Sequence, residues 1–471
     1  PLLWASVVLL ILAGIYFLEH PKQFLMVMFL YYGFMANGLL LGFYSLPIPM
    51  VGILDEAILA VPMAIIVMKA VHRQLPRHAT IFPVVYVALA VLSAWVNHAP
   101  NVGALRVILT YGKFYIFWYF ARAIGPWSAR EKRMWFVVLM LFVLLQFGFN
   151  VFWQKGLTPR MSVDSSIGTV GSAHYVGYLA TVALFLLAGW LASMPSPRPK
   201  RLVALALGIA LLNGYNLIFM TDTKHVLFFM PFAALPFLFY PRYPAPVRMA
   251  LGVGGAVFLI ASWIYFALFT SLLEFRPSAI WRSIKYSGKG EVFRTLVYRL
   301  PEDIPVYLLG AGPGNFCSSV GLFSFRPLSN KYVLPYVITA FRSRGLRAEA
   351  SIAGRAQSSL YTLWGEFGPI NAIAYLLFWL YAMRHLWRVS VRAPPRDFDA
   401  GQRLAIIASL ITFLIVGLLT EVSYIGLLML PLWSLAGMYW DEAGVAAVPA
   451  EPANLPARVP RPGFISFSGR A

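Results

Sequence analysis

The residues best suited to chemistry are arginines in one long stretch between two apolar runs. Residues 273–356 contain twelve basic residues and five acidic ones. Arginine stays charged and binds phosphate groups through two parallel N–H donors. Within this stretch, Arg294 and Arg299 precede a glycine-rich turn at residues 310–316. The pattern favours binding of an anionic substrate, and the same charges also suit a solvated loop that contacts anionic lipid head groups.

The glycine-rich turn is a second candidate for anion binding. Gly310, Gly312 and Gly314 flank Pro313, a composition that predicts a tight turn. Exposed backbone N–H groups in such a turn can form a concave anion site. The turn lacks the Gly-Lys-Ser/Thr ending of a nucleotide-binding loop. The alternative is a turn that needs positive φ and binds nothing.

The composition predicts that a membrane positions these residues. The chain is 60% hydrophobic and 12% charged, whereas a soluble domain has about 25% charged residues. It contains about thirteen apolar runs of about 20 residues, the length that crosses a bilayer as a helix. We predict an all-α, polytopic transmembrane helical bundle of about 12–13 spans with a large extracytoplasmic loop. Residues 1–272 and 357–440 form the bundle, 273–356 the partly helical loop and 441–471 a disordered tail.

The distribution of charge predicts which side of the membrane each loop faces. Every second short loop is basic, with eighteen Lys and Arg residues in one set of loops and three in the other. Basic short loops stay in the cytoplasm, and long loops are exempt from this rule. Residues 273–356 are therefore expected outside and the tail inside. The net charge of +20, which in a soluble protein would indicate a nucleic-acid partner, is explained by the membrane topology.

One cation lies inside a predicted span. Lys113 follows Gly112 in the middle of an apolar run. A charge at that depth is costly and is usually paired or functional. Asp55 or Glu56, in another predicted span, could neutralise it.

Residues 294–316 carry an Arg, a Tyr four residues later and the Gly-Ala-Gly-Pro-Gly-Asn-Phe turn. Read together with three other outward segments, this pattern resembles the O-antigen ligase/polymerase family, over roughly residues 150–435. Residues 357–368 are similar to the family segment that ends in Glu-x-Gly and leads into a span. Residues 168–174 are similar to its Gly-Thr-Phe-Gly-Asn-Pro-Asn-like segment, and residues 221–225 stand where it has a Ser-Arg-Gly-like turn.

The resemblance implies a membrane glycosyltransferase that moves a glycan from an undecaprenyl diphosphate carrier to an acceptor without a metal or other cofactor. It implies catalytic roles for Arg294, Lys224, Gln357 and Glu366. The expected substrate-binding residues are Arg160, Arg299, His174, His225, Gly312, Gly314 and Asn315. It also implies the bacterial inner membrane, with the active site facing the periplasm.

Two positions depart from the family pattern. Gln357 stands where the family has a His, and Gln cannot act as a general base at neutral pH. Lys224 stands where the family has an Arg, which keeps the charge but loses the two-donor geometry. His174 and His225 are the nearest outward histidines that could replace the missing base, and Glu366 is another candidate. Alternatively, Glu366 is an acid that the helix dipole favours at a helix N-terminus.

Several functions remain open at this point. A polymerase that assembles exopolysaccharide or O-antigen is favoured over a ligase that transfers glycan to lipid A core. A transporter or flippase of the same lipid-linked glycan is a second class, and a scaffold subunit a third. The expected partners are the undecaprenyl-diphosphate-linked glycan, a glycan or lipid acceptor, membrane lipids and chain-length regulator or flippase proteins, with no nucleic acid.

Overall fold

The computed structural model describes a helical protein over residues 14–34, 54–71, 77–99, 101–155, 168–170, 172–194, 198–221, 223–269, 292–316, 358–394, 396–420, 422 and 425–440. All of the regular elements in these ranges are helical. The first predicted span, roughly residues 2–18, overlaps these ranges only at residues 14–18. The predicted tail at 441–471 lies outside them.

The first half of the described chain forms seven α-helices. They are α1 Pro21–Leu30, α2 Ala60–Val71, α3 Arg77–Val96, α4 Asn101–Ala123, α5 Ala129–Phe149, α6 Ala173–Ser193 and α7 Lys200–Tyr215. Three of them continue into π-helical turns, α1 into residues 31–34, α5 into Asn150–Lys155 and α7 into Asn216–Met220.

The second half contains seven more α-helices. They are α8 Lys224–Ala233, α9 Leu235–Phe239, α10 Ala245–Phe269, α11 Ile304–Leu309, α12 Ser359–Arg392, α13 Phe398–Leu419 and α14 Gly426–Met438. A π-helical turn at Thr295–Arg299 and a 3-10 turn at Leu300–Glu302 precede α11. The described part of the long loop is thus partly helical.

Within the described residues, four helices are both long and apolar enough to cross a membrane. They span Ala129–Phe152, His174–Ser193, Lys200–Met220 and Phe398–Leu418. Shorter apolar helices accompany them at Thr80–Val96, Phe229–Phe239, Arg248–Val257 and Gly426–Met438. The composition and length of these helices are those of a membrane protein.

The core is held by close backbone contact and by aromatic packing. Helices α6 and α13 meet at two glycines, since a Cβ added to Gly189 would lie 2.3 Å from the carbonyl oxygen of Gly401. Small residues at such crossings let helices approach closely in a membrane. Helices α4, α12 and α14 meet through the rings of Trp118, Phe378 and Trp433, with the Phe378 and Trp433 centroids 5.1 Å apart.

Contacts between loops follow the alternation of charge. At what we call the basic end, Lys22 pairs with Glu131 at 2.8 Å and Lys132 with Asp399 at 2.5 Å. At the opposite end, the Asn97 side chain donates to the carbonyl of Gly310 at 3.0 Å. Residues that the charge pattern assigns to one side therefore contact one another.

Candidate functional site

The glycine-rich turn lies against the start of α12. Gly310, Gly312 and Gly314 have φ of +80°, +98° and +86°, a region that L-residues with a side chain rarely adopt. The N–H of Ala311 donates to the carbonyl of Gly365 at 2.7 Å. Glycine is therefore required for the shape of the turn, and that shape joins it to α12.

Glu366 occupies the anion position that the turn offers. Its side chain is fully buried, and its carboxylate accepts the backbone N–H of Gly314. The Ser93 hydroxyl donates to the Glu366 carbonyl at 3.2 Å. The hydrogen-bond acceptor held by this part of the turn thus belongs to the protein, while substrate binding by Gly312, Gly314 and Asn315 stays a prediction.

The position of Glu366 in its helix differs from the expected one. Ser358 is the N-cap of α12, with the Tyr361 N–H donating to its hydroxyl at 3.3 Å. Glu366 lies two turns further on, just before a break at Gly368, where φ is +85°. Its interpretation as an acid in the first turn of a helix is therefore wrong, because it sits beside an internal kink of α12.

The kink allows two backbones to touch. A Cβ on Gly368 would lie 2.2 Å from the carbonyl oxygen of Leu308, and one on Gly310 would lie 2.5 Å from the backbone of Glu366. The ring of Phe316 lies directly against Gly365. Glycines in both segments are thus needed where the turn packs on α12.

Two asparagines complete this contact. Asn315 is buried, and its side chain donates to the carbonyl of Ala311 at 3.1 Å and to that of Asn97 at 3.4 Å. Asn97, at the end of α3, donates in turn to Gly310. In the sequence, Asn97 is marked only by being a polar residue at the end of an apolar run, and it was not among the predicted site residues.

The glycine-rich turn and the chain before it, residues 292–316, form a small unit that we call the docked segment. Its buried apolar residues, Val292, Leu296, Leu300, Val306, Ala311 and Phe316, form one cluster, against which Tyr361 and Trp364 of α12 pack. Arg294 and Arg299 are exposed on this segment, and Tyr298 is 68% exposed. The cations are thus displayed on a segment whose other face is buried.

The first turns of α6, which follow the third segment of the resemblance, lie against the fourth segment. Thr221 and Thr223, joined by a 2.8 Å hydrogen bond, lie against Gly177, where an added Cβ would come within 2.8 Å of both hydroxyls. His174 is in the first turn of α6, its ring 6.3 Å from that of Tyr178. The starts of α6 and α8 are therefore packed together.

Side chains at the ends of α5 and α7 form a hydrogen-bonded network with residues 168 and 169 of the third segment. The N–H of Thr169 donates to the Gln146 side chain at 2.8 Å, and that of Gly168 donates to Asn150 at 3.0 Å. Asn150 also donates to Asn216 at 3.3 Å. Both asparagines begin the π-helical turns, so the irregular ends of α5 and α7 hold this turn in place.

The remaining candidates fall outside these contacts. Arg160 and Gln357 lie outside the described residues. Lys224 begins α8 and His225 follows it, and the side chains of both lie outside the described part. A shared site for Arg294, Lys224 and Gln357 therefore stays a prediction.

Lys113, the cation that the sequence places inside an apolar run, forms an ion pair in the structure. Lys113 is 2% exposed at its side chain and pairs with Asp55, while Arg106, two turns earlier on the same face of α4, pairs with Glu56. The Lys113 ammonium also lies 5.6 Å from the ring centre of Tyr32. The prediction that Asp55 or Glu56 neutralises Lys113 is confirmed, and Arg106 is a second largely buried cation of α4, which the prediction omitted.

Across the described ranges, no three His, Cys, Asp or Glu side chains lie close enough to hold a metal ion. In comparisons with known proteins, neither a family model nor a curated protein sequence matches the chain. The motifs and the geometry of the docked segment are therefore the features that bear on function.

Proposed function

We propose that this protein is a membrane glycosyltransferase that uses an undecaprenyl-diphosphate-linked oligosaccharide as donor. The observation that carries the proposal is the docked segment. Arg294, Tyr298 and Arg299 are exposed on it, while Glu366 and the glycines fasten it to α12. A rigid surface that displays arginine beside an aromatic ring suits a diphosphate joined to a sugar.

The transfer needs a nucleophile, a leaving group and a proton acceptor. The acceptor hydroxyl oxygen attacks the anomeric carbon, the bond from that carbon to the diphosphate oxygen breaks, and the hydroxyl proton is released. Negative charge grows on the leaving diphosphate. Fixed cations at that point stabilise the transition state more than the bound substrate.

We assign the diphosphate to Arg294 and Lys224, with Arg299 and Arg160 as further contacts. Glu366 is a positioning residue, because its carboxylate is buried and holds the Gly314 N–H. The proton acceptor is then His174 or His225, and Gln357 orients the acceptor hydroxyl by hydrogen bonding.

The proposed setting is the bacterial inner membrane, crossed by about 12–13 helices, with this chemistry on the periplasmic side. Contacts confined to one end, such as Asn97 with Gly310, support a common outward face. We favour a polymerase of repeat units, which would work beside a flippase and a chain-length regulator.

The test is a transfer assay in proteoliposomes that contain the lipid-linked donor. Arg294→Ala should lower the transfer rate about 100-fold, and Arg294→Lys should restore part of it. Arg130→Ala, which removes an exposed cation at the basic end, is the matched control and should leave the rate unchanged. Full activity of Arg294→Ala at normal expression would overturn the proposal.

Glycan gels of cells that lack the protein separate the two transferases. Loss of chain length with intact single-unit capping indicates a polymerase, and loss of all transfer to lipid A core indicates a ligase. Movement of the donor across the bilayer without any transfer would instead indicate a transporter.

A further inference from the structure

An apolar groove opens between the helices α6 to α10. It has a volume of about 630 Å³. Its floor comes from α6, α8 and α9, and its walls from α7 and α10. Its length along α7, from Leu207 to Phe219, is about 18 Å at 1.5 Å per residue, which matches an extended acyl chain.

Glycines leave this groove open. A Cβ added to Gly214, Gly254 or Gly255 would meet no atom within 4 Å. The flanking faces of both wall helices are exposed and apolar, with Leu211 at 73% and Val253 at 59%. In a bilayer such faces contact lipid, so the groove is accessible from the hydrocarbon region.

Cations stand at one end of both walls. Lys200, Leu207 and Gly214 are spaced by seven residues and share a face of α7, and Arg248 and Gly255 do the same on α10. Lys200 and Arg248 therefore lie at the head of the two stripes that line the groove. Both belong to the basic end.

These cations are placed where the helix makes them unfavourable. They lie in the first turns of α7 and α10, neither of which contains an acid, and a helix N-terminus already carries positive potential. The N-cap of α7 is Pro199, without a side-chain cap. Two positive helix ends with added cations form a site that an anion stabilises.

Asp397 and Asp399, the acids at the start of α13, are already engaged. Asp397 accepts the N–H of Ala400 at 2.9 Å and lies 4.0 Å from Arg403, while Asp399 pairs with Lys132. The Arg248 Nε is buried and has no hydrogen-bond partner among the described residues. These two acids therefore leave Lys200 and Arg248 open to an anion from outside the chain.

From this charge complementarity, we propose that the groove binds an anionic phospholipid of the leaflet at the basic end. One acyl chain fills the groove between α7 and α10, and the phosphate contacts Lys200 and Arg248. This site is separate from the transfer chemistry and lies at the other end of the bundle.

The test measures lipid binding to the full-length protein in detergent by native mass spectrometry, with phosphatidylglycerol as the probe. Phosphatidylcholine with the same chains tests the headgroup, and glycerol phosphate tests the headgroup without a chain. Phosphatidylglycerol should bind more tightly than either. Lys200→Gln and Arg248→Gln should each weaken it about fivefold, with Arg130→Gln unchanged.

Filling the groove tests the chain position. Gly214→Leu and Gly255→Leu should weaken phosphatidylglycerol binding at least about tenfold. Gly208→Leu is the matched control, since it lies on the same helix, outside the groove, with open space around it. Unchanged binding in both groove variants, an equal loss in Gly208→Leu, equal binding of phosphatidylcholine, or a shift in oligomeric state caused by Gly255→Leu would each overturn the proposal.

Discussion

Cations occur in two contrasting regions of this protein. In the ion-pair cluster of Asp55, Glu56, Arg106 and Lys113, each cation is largely buried and meets a carboxylate. On the docked segment, Arg294 and Arg299 are exposed, and the buried carboxylate, Glu366, holds a backbone N–H. The buried cations of the cluster are paired with carboxylates, whereas the buried acid of the docked segment holds a backbone N–H and so fixes a segment whose arginines are exposed.

The largest expected effect comes from breaking the buried pair of Lys113 and Asp55. Lys113→Met leaves Asp55 without its cation and should lower the free energy of unfolding by about 3–5 kcal/mol. Chemical unfolding in detergent measures it. The double variant Lys113→Met/Asp55→Asn should recover most of the loss, because no buried charge is then left alone.

Lys69→Met is the control for that pair, since the described residues give Lys69 no ion pair. It should change stability by less than about 0.5 kcal/mol. A single variant at Lys113 as stable as the double variant would contradict the pairing argument.

The next effect concerns the backbone contact of the docked segment. Gly368→Ala places a methyl group 2.2 Å from the Leu308 carbonyl oxygen at positive φ, and should cost about 2–4 kcal/mol. Thermal unfolding measures this loss. Gly208→Ala, in open space on α7, should be neutral or stabilising, and equal melting temperatures for the two variants would refute the contact.

A smaller effect is expected at the carboxylate itself. Glu366→Ala removes the acceptor of the Gly314 N–H and should cost about 2–3 kcal/mol. Glu366→Gln keeps a carbonyl acceptor of similar shape and should cost about 1 kcal/mol. Glu302→Gln, at an exposed acid of the same segment, is the control. If Glu366→Ala were as stable as Glu302→Gln, the result would contradict the role of Glu366 in anchoring the turn.

The smallest effect on stability is expected at the exposed cations. Arg299→Gln should change the free energy of unfolding by less than about 0.5 kcal/mol, and it should lower glycan transfer if the cation contacts diphosphate. Stability and transfer rate are measured on the same preparation. A large loss of stability would mean that Arg299 belongs to the packing of the docked segment.

The sequence predicted features that depend on local pattern or on charge. Apolar run length identified helices such as α6 and α13, and the cost of a buried cation was enough to link Lys113 with Asp55. The apolar run at 359–383, one of the thirteen in the sequence, lies in a longer helix, because Arg384, Arg388 and Arg392 continue α12 on its basic side. Polar residues can extend a helix beyond the apolar run that marks its span.

Contacts between distant backbones had no such signal. The approach of Gly314 to Glu366 joins residues that are 52 positions apart, and the partner of Asn97 is 213 positions away. The glycines indicated a turn without indicating what it packs against. Pattern therefore located the docked segment, and only the structure showed that the turn closes on an acid of its own chain.

The bond between Gly314 and Glu366 also bears on how the protein responds to dissolved anions. A group tethered to its binding site has an effective concentration in the millimolar range or above, without any loss of freedom on association. Free phosphate or chloride must compete with that tether and must also enter a buried contact that salt screens weakly. The turn should therefore keep its shape across wide changes in the ionic composition of the surrounding compartment.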